Sequence, residues 1–163
     1  MARDARLIRP AGLVDYDEAN AAMHGLAETR LAGDGLDTLI LLEHPPVYTA
    51  GRRWKPDHLV WTEERMRAAG AELHFIDRGG SLTFHGPGQL VGYPIVTLDE
   101  SPAGMRDVVA HVRRLETVVI DVLARFGLRG EREEGLTGVW VGGEKIAAIG
   151  VRVARGRSMH GFA

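Results

Sequence analysis

The chain reads as one α+β domain in which a mixed, largely antiparallel sheet is packed with helices. Three observations predict this class. Val108, Val112, Leu115, Val119, Val122 and Phe126 recur at alternating spacings of four and three, the period of a helix lying on an apolar surface. Val139 to Val153 is a β-rich run folded at Gly142-Gly143, the pattern of a hairpin. The remaining segments mix helices and hairpins without the regular strand–helix alternation of a doubly wound parallel sheet. A chain of 163 residues is long enough for a sizeable core. With no internal repeat, low-complexity tract or linker, residues 1–163 are expected to form a single domain.

Taken in order, Arg3 to Arg9 is a candidate short strand. Asp15 is placed to cap a helix whose apolar side reads Tyr16, Ala19, Met23, Leu26 and Arg30, with Gly33 beyond its end. Thr38 to Leu42 is an apolar run too short for a buried helix, bounded by Gly35 and Pro45-Pro46, and reads as a central strand. Its exit, EHPPVYTAGRRWKPDH, reads as a loop with a cationic cluster of Arg52, Arg53 and Lys55 around Trp54. Two readings of that cluster stand: a solvated basic loop or a partner surface. Thr62 caps a short helix through Ala69, stopped by Gly70, and Glu72 to Ile76 alternates as a strand.

The stretch Asp77 to Pro94, DRGGSLTFHGPGQLVGYP, holds five of the 21 glycines and two of the seven prolines. Interleaved with Arg78, Ser81, Thr83, His85 and Gln89, it reads as a loop built for close approach to a ligand. A second β-like run, Leu90 to Leu98, follows. Ser101-Pro102 reads as the cap and first turn of the long helix, which Gly127 ends. After the hairpin, Ser158 to Ala163 begins another strand.

The net charge of −2 gives no global basic field for nucleic acid. The opening MARDARLIRP lacks an apolar signal core and no apolar run reaches membrane-span length, so a cytoplasmic protein with no membrane partner is expected. With no cysteine, these residues hold no disulfide, no thiolate metal site and no cysteine nucleophile. The seven histidines include no pair at the i, i+4 spacing of a helical zinc site, and His44, His85 and His160 are expected in separate loops, so no metal is expected.

Lys145 is the most unusual charged residue, an ammonium within KIAAIG among small side chains. By strand alternation it shares a face with Ala147 and Ile149. It reads either as an amine beside a partly desolvated cavity or as a strand-end lysine reaching water from the turn. Thr83 and His85, two apart, could share a strand face and form an activated hydroxyl, although no orienting acid is evident. The glycine-rich stretch matches neither the phosphate-cradling nor the dinucleotide-binding glycine motif.

Three blocks together, EHPPVYTAGRR (Glu43 to Arg53), RGGSLTFHGPGQLVGYPI (Arg78 to Ile95) and GVWVGGEKIAAIGVRV followed by HGFA, resemble the lipoyl(octanoyl) transferase family, relatives of lipoate and biotin protein ligases. The resemblance runs from Tyr16 to Ala163. It implies a ligase-like fold and an acyltransferase that needs no ATP or other cofactor. The family takes an octanoyl group from octanoyl-acyl carrier protein onto a cysteine, then passes it to a lysine of lipoyl domains in 2-oxoacid dehydrogenases or the glycine-cleavage carrier protein. Its substrate-contacting segments match Arg78, Gly79, Gly80, Ser81, Leu82, Thr83, Phe84 and His85, then Ala148, Ile149 and Gly150, then Gly161, Phe162 and Ala163. Its catalytic lysine matches Lys145. The family's cysteine follows the HGFA segment in a Pro-Cys-Gly motif that these residues do not contain. The expectation is that a C-terminal segment carrying it is missing, and that the covalent step is lost if these residues are the whole molecule. Competing readings are an ATP-dependent lipoate or biotin-type ligase and a catalytically silent acyl-binding module.

Overall fold

The computed structural model of the chain describes residues 4–100 and 106–163. In chain order its elements are β1 (Ala5–Ile8), α1 (Tyr16–Leu31), β2 (Asp37–Leu42), β3 (Val47–Ala50), a turn of 3-10 helix (Pro56–His58), α2 (Glu63–Ala68), β4 (Glu72–Phe75), β5 (Leu82–His85), β6 (Val91–Ile95), α3 (Val108–Arg125), β7 (Val139–Val141), β8 (Glu144–Ala147), β9 (Ile149–Ala154) and β10 (Arg157–Phe162). They form a five-stranded sheet of order β1-β2-β6-β10-β9, a three-stranded sheet β4-β3-β5 and the hairpin β7-β8. Parallel pairs (β1/β2, β3/β4) coexist with antiparallel ones, so the α+β class holds.

Capping fixes the helices. Asp15 accepts from the N–H groups of Asp17 and Glu18 at 2.9 and 3.2 Å, and Thr62 caps α2 through Arg65 N–H, both as the sequence predicts. Gly33, Gly70 and Gly127, each just past a helix, take φ of 88°, 72° and 76°, the left-handed region where a side chain is strained. α1 crosses β6 and β10, and its Ala19, Met23 and Ala27 pack with Ile40, Leu42, Tyr93, Ile95 and Met159 into the main core. A second cluster joins Leu115 of α3 to Ile149 and Val151 of β9, with Phe162 beside it.

Four details depart from the sequence reading. The exit loop after β2 contains strand β3, because Pro45-Pro46 force an extended entry that Val47 to Ala50 continues by pairing with both β4 and β5. The glycine-rich stretch is not one loop: β5 lies inside it, and β6 begins at Val91. The predicted cap at Ser101-Pro102 lies outside the described residues, and α3 begins at Val108 with Asp107 accepting from Ala110 N–H at 2.8 Å. The strand predicted from Lys145 to Val153 breaks at Ala148. β8 pairs with β7 and β9 with β10, so the alternation linking Lys145 to Ile149 does not carry across: Lys145 is exposed and Ile149 buried.

Candidate active site

The two larger sheets meet at a narrow cleft with free room of only about 20 Å³. β5 and the turn before it supply Arg78, Thr83 and His85; β3 supplies Thr49. Ala148, Gly150, His160, Gly161, Phe162 and Ala163 form the opposite wall, with Tyr16 and Tyr93 between. Two segments far apart in the chain are held together there by backbone: Ala148 and Ala163 exchange hydrogen bonds of 2.8 and 3.0 Å, and Gly79 N–H donates to Val151 O at 2.9 Å. Gly150 permits this approach, since a Cβ at that position would stand 2.8 Å from Gly79 O.

Arg78 is the centre of the site. It is only 6 % exposed, and its guanidinium donates to Gly79 O at 2.8 Å, Thr49 O at 2.6 Å, Thr49 Oγ1 at 2.8 Å and Thr83 Oγ1 at 3.0 Å. Among the described residues it has no carboxylate partner. Burial lowers its pKa, and without an anion beside it the cation is compensated only by neutral dipoles.

The surrounding rings are neutral. His85 Nδ1–H donates to Gln89 Oε1 at 2.8 Å, the amide orientation being fixed by Gln89 Nε2 donating to Phe84 O. This leaves His85 Nε2 to face the Thr49 hydroxyl at 3.4 Å. Burial, partly offset by the Gln89 bond, pushes His85 down to about 4. Burial likewise pushes His160 down to about 4, with the Arg78 charge adding to it. His160 also holds φ 56° although it is not glycine, a strained conformation costing about 1 kcal/mol that sets its ring beside Tyr93. His44, fully buried, donates from Nδ1 to Val14 O at 2.7 Å and accepts the Tyr93 O–H at Nε2, 2.8 Å away.

The histidines therefore depart from the expectation of separate loops. His44 and His85 lie with ring centroids 5.7 Å apart, and His160 sits on β10. No group of three or more potential metal ligands forms among the described residues. Thr83 and His85 share the cleft, but His85 faces Thr49, while Thr83 accepts from Arg78; an activated Thr83 has no geometric support.

The sequence-predicted residues divide into two sets. Arg78, Thr83, His85, Ala148, Gly150, Gly161, Phe162 and Ala163 line the cleft. Gly79 and Gly80 shape its rim through backbone contacts, Gly80 O accepting from Arg53 N–H at 3.0 Å. Ser81 turns to His58, Phe84 packs on Tyr48 with centroids 5.0 Å apart, Leu82 and Phe84 alternate away from the Thr83 side of β5, and Ile149 belongs to the α3 cluster. Lys145 lies outside the cleft lining: its ammonium sits 4.7 Å from the Trp140 ring centroid. Tyr16, Thr49, Ile76, Tyr93 and His160 line the cleft without having been singled out as site residues. Only Tyr16 left a trace, a phenol at the start of the largely apolar helix face that ends at Arg30.

The cleft thus sets a buried guanidinium without a carboxylate partner among neutral rings, in a fold like that of solved lipoate-protein ligases. A bipartite lipoate protein ligase from Thermoplasma acidophilum superposes with a TM-score of 0.72 at 20 % identity, covering 99 % of this chain and 61 % of that one. A lipoate-protein ligase A structure gives 0.71 at 17 % identity, covering 98 % and 65 %. These likenesses establish fold alone. The chain belongs to the lipoyl protein ligase A/B catalytic domain family, whose model matches residues 15–163. It is 51 % identical over 159 residues to the octanoyltransferase of Gloeobacter violaceus (96 % of this chain, 67 % of the relative) and 50 % identical over 157 residues to that of Rubrobacter xylanophilus (95 % and 69 %). The octanoyltransferase of Mycobacterium leprae is 51 % identical over 164 residues (96 % and 65 %). Within the family the chain thus groups with acyltransferases, and it spans about two thirds of their length.

Proposed function

We propose that the chain is the acyl-binding catalytic domain of a cytoplasmic transferase that moves an octanoyl group from octanoyl-acyl carrier protein to a lysine of lipoyl domains. The acceptors are those of 2-oxoacid dehydrogenases and the glycine-cleavage carrier protein. One observation carries the reading: identity of 50–51 % to proteins named octanoyltransferase over nearly the whole chain. The donor-lined cleft supports it. No helix among the described residues is long and apolar enough to cross a membrane.

The transfer proceeds through a cysteine thioester. A thiolate adds to the octanoyl carbonyl carbon, the carrier sulfur departs as thiolate and takes up a proton, and the acyl group is left on the cysteine. The lipoyl lysine then adds as free amine, forms the amide, gives up a proton and releases the enzyme thiolate. The 163 residues contain no cysteine, and we place the nucleophile outside them. Lys145, an exposed ammonium lying over Trp140, favours thiolate over thiol and can protonate the departing sulfur. Arg78, Thr83 and His85 orient the polar end of the acyl group. Phe162 and Ala163, which also line the adjoining apolar groove of about 490 Å³, border its chain, whose burial there is worth about 5 kcal/mol at ~0.8 kcal/mol per methylene. Backbone amides of the Arg78 to His85 stretch stabilise the oxyanion; Gly79 is not among them, its N–H being committed to Val151 O.

Mixing a longer, cysteine-bearing chain with octanoyl-loaded carrier and a lipoyl domain, without ATP, tests this by intact mass. The expected product is an octanoylated lipoyl domain, with Lys145→Ala slowing its formation about 100-fold or more. The 163-residue chain should give no covalent adduct. ATP dependence would replace the reading with a ligase, and an acyl adduct on the 163-residue chain would remove the cysteine step.

A further inference from the structure

Tyr16 opens α1 and is 3 % exposed. Helical periodicity assigns it to the apolar face, yet it belongs to neither apolar cluster. Its ring lies 5.5 Å from His44 and 4.9 Å from His74, and it lines the cleft beside Arg78 and Tyr93. Its hydroxyl is shielded and has no hydrogen-bond partner among the described residues.

A buried phenol O–H without an acceptor costs about 1–3 kcal/mol, and phenylalanine would fill nearly the same volume without that cost. The neighbouring polar groups are occupied. The Tyr93 hydroxyl meets His44, Thr49 and Thr83 receive Arg78, and His85 spans Gln89 and Thr49. Tyr16 is the hydroxyl left over. Burial pushes its pKa up to about 12, so it stays a phenol and keeps a proton to donate.

We propose that Tyr16 is a substrate-binding residue whose hydroxyl donates to the acyl oxygen of the ligand in the cleft. This rests on the acyl-pocket reading above and adds a residue to it. The ligand oxygen is a carbonyl or carboxylate, because the adjacent Arg78 offers only donors and a ligand donor would meet its charge unfavourably.

Tyr16→Phe in the 163-residue chain, followed by thermal melting and by calorimetric titration with octanoate, tests the assignment. The expected result is an unchanged or raised Tm together with a Kd for octanoate raised about tenfold, the loss of one hydrogen bond. A structural role predicts the reverse, a lowered Tm with affinity retained. Octanoate binding that Tyr16→Phe leaves intact removes the assignment alone and points to an enclosed water as the partner. Failure of the unsubstituted chain to bind octanoate removes the acyl-pocket reading and, with it, the role of Tyr16.

Discussion

His85 and His160 enter the cleft as neutral imidazoles because burial holds both near 4 instead of 6.5. The unfolded chain takes up those protons as pH falls through 6.5, while the folded chain resists until about 4. Stability is therefore full above 6.5 and declines as pH falls toward 4, by on the order of 3 kcal/mol per histidine at the lower limit. Melting temperature measured across that window should drop steeply, and His85→Gln should flatten part of the drop. An unchanged slope in the variant would mean that His85 titrates normally in the fold. At this scale the sequence exposed Arg78, Thr83 and His85 through their setting among glycines. It did not expose Tyr16 or Thr49, whose roles come from which atoms remain unpaired after folding.

α3 shows how an element can be legible in its apolar stripe and hidden in its polar one. Its amphipathic period is plain in the sequence, and Leu115 and Val112 pack where that period puts them, but Val108, Val122 and Phe126 of the same stripe stay exposed. Glu116, the next residue, is fully buried. Its carboxylate accepts from Arg113 at 3.0 and 2.7 Å, Arg132 at 2.9 Å and Gly138 N–H at 3.2 Å, pinning the segment before β7 onto the helix. Burial pushes its carboxyl up, but the bonds from Arg113, Gly138 and Arg132 outweigh that and hold it below the usual range. Glu116 thus adds stability at neutral pH that is lost as pH falls through its depressed value. Glu116→Ala should cost about 2–4 kcal/mol in denaturant melts, since it strands the Gly138 N–H and unpairs two partly exposed arginines. A cost under about 0.5 kcal/mol would show that the segment is held by packing alone.

Across the whole molecule, the cationic loop lies next to the cleft rim. Arg52 is tied to Asp77, and the backbone N–H groups of Arg52 and Arg53 bond to Arg78 O and Gly80 O, both at 3.0 Å. Arg53 and Lys55 remain exposed on this edge. On the proposed function these exposed side chains would meet the acidic carrier, so reversing both charges should weaken its association about tenfold and flatten the salt dependence, read by titration at low and high ionic strength. Unchanged affinity would return the loop to a solvated role. The melting temperature should stay within a few degrees, because neither side chain is buried.

Sequence by itself determined the α+β class, the helices and their stops, and the family, because caps, left-handed glycines and apolar periods are local and the motif blocks are contiguous. Tertiary structure alone decided the register. It set β3 between β4 and β5, broke the Lys145 strand at Ala148, and joined Gly79 to Val151 and Ala148 to Ala163. Those pairings span long loops and depend on backbone groups that every residue carries, so side-chain identity barely encodes them. Among the described residues the same pairings bury Arg78 without an anion and leave the Tyr16 hydroxyl without an acceptor, and the proposed acyl site rests on those two groups.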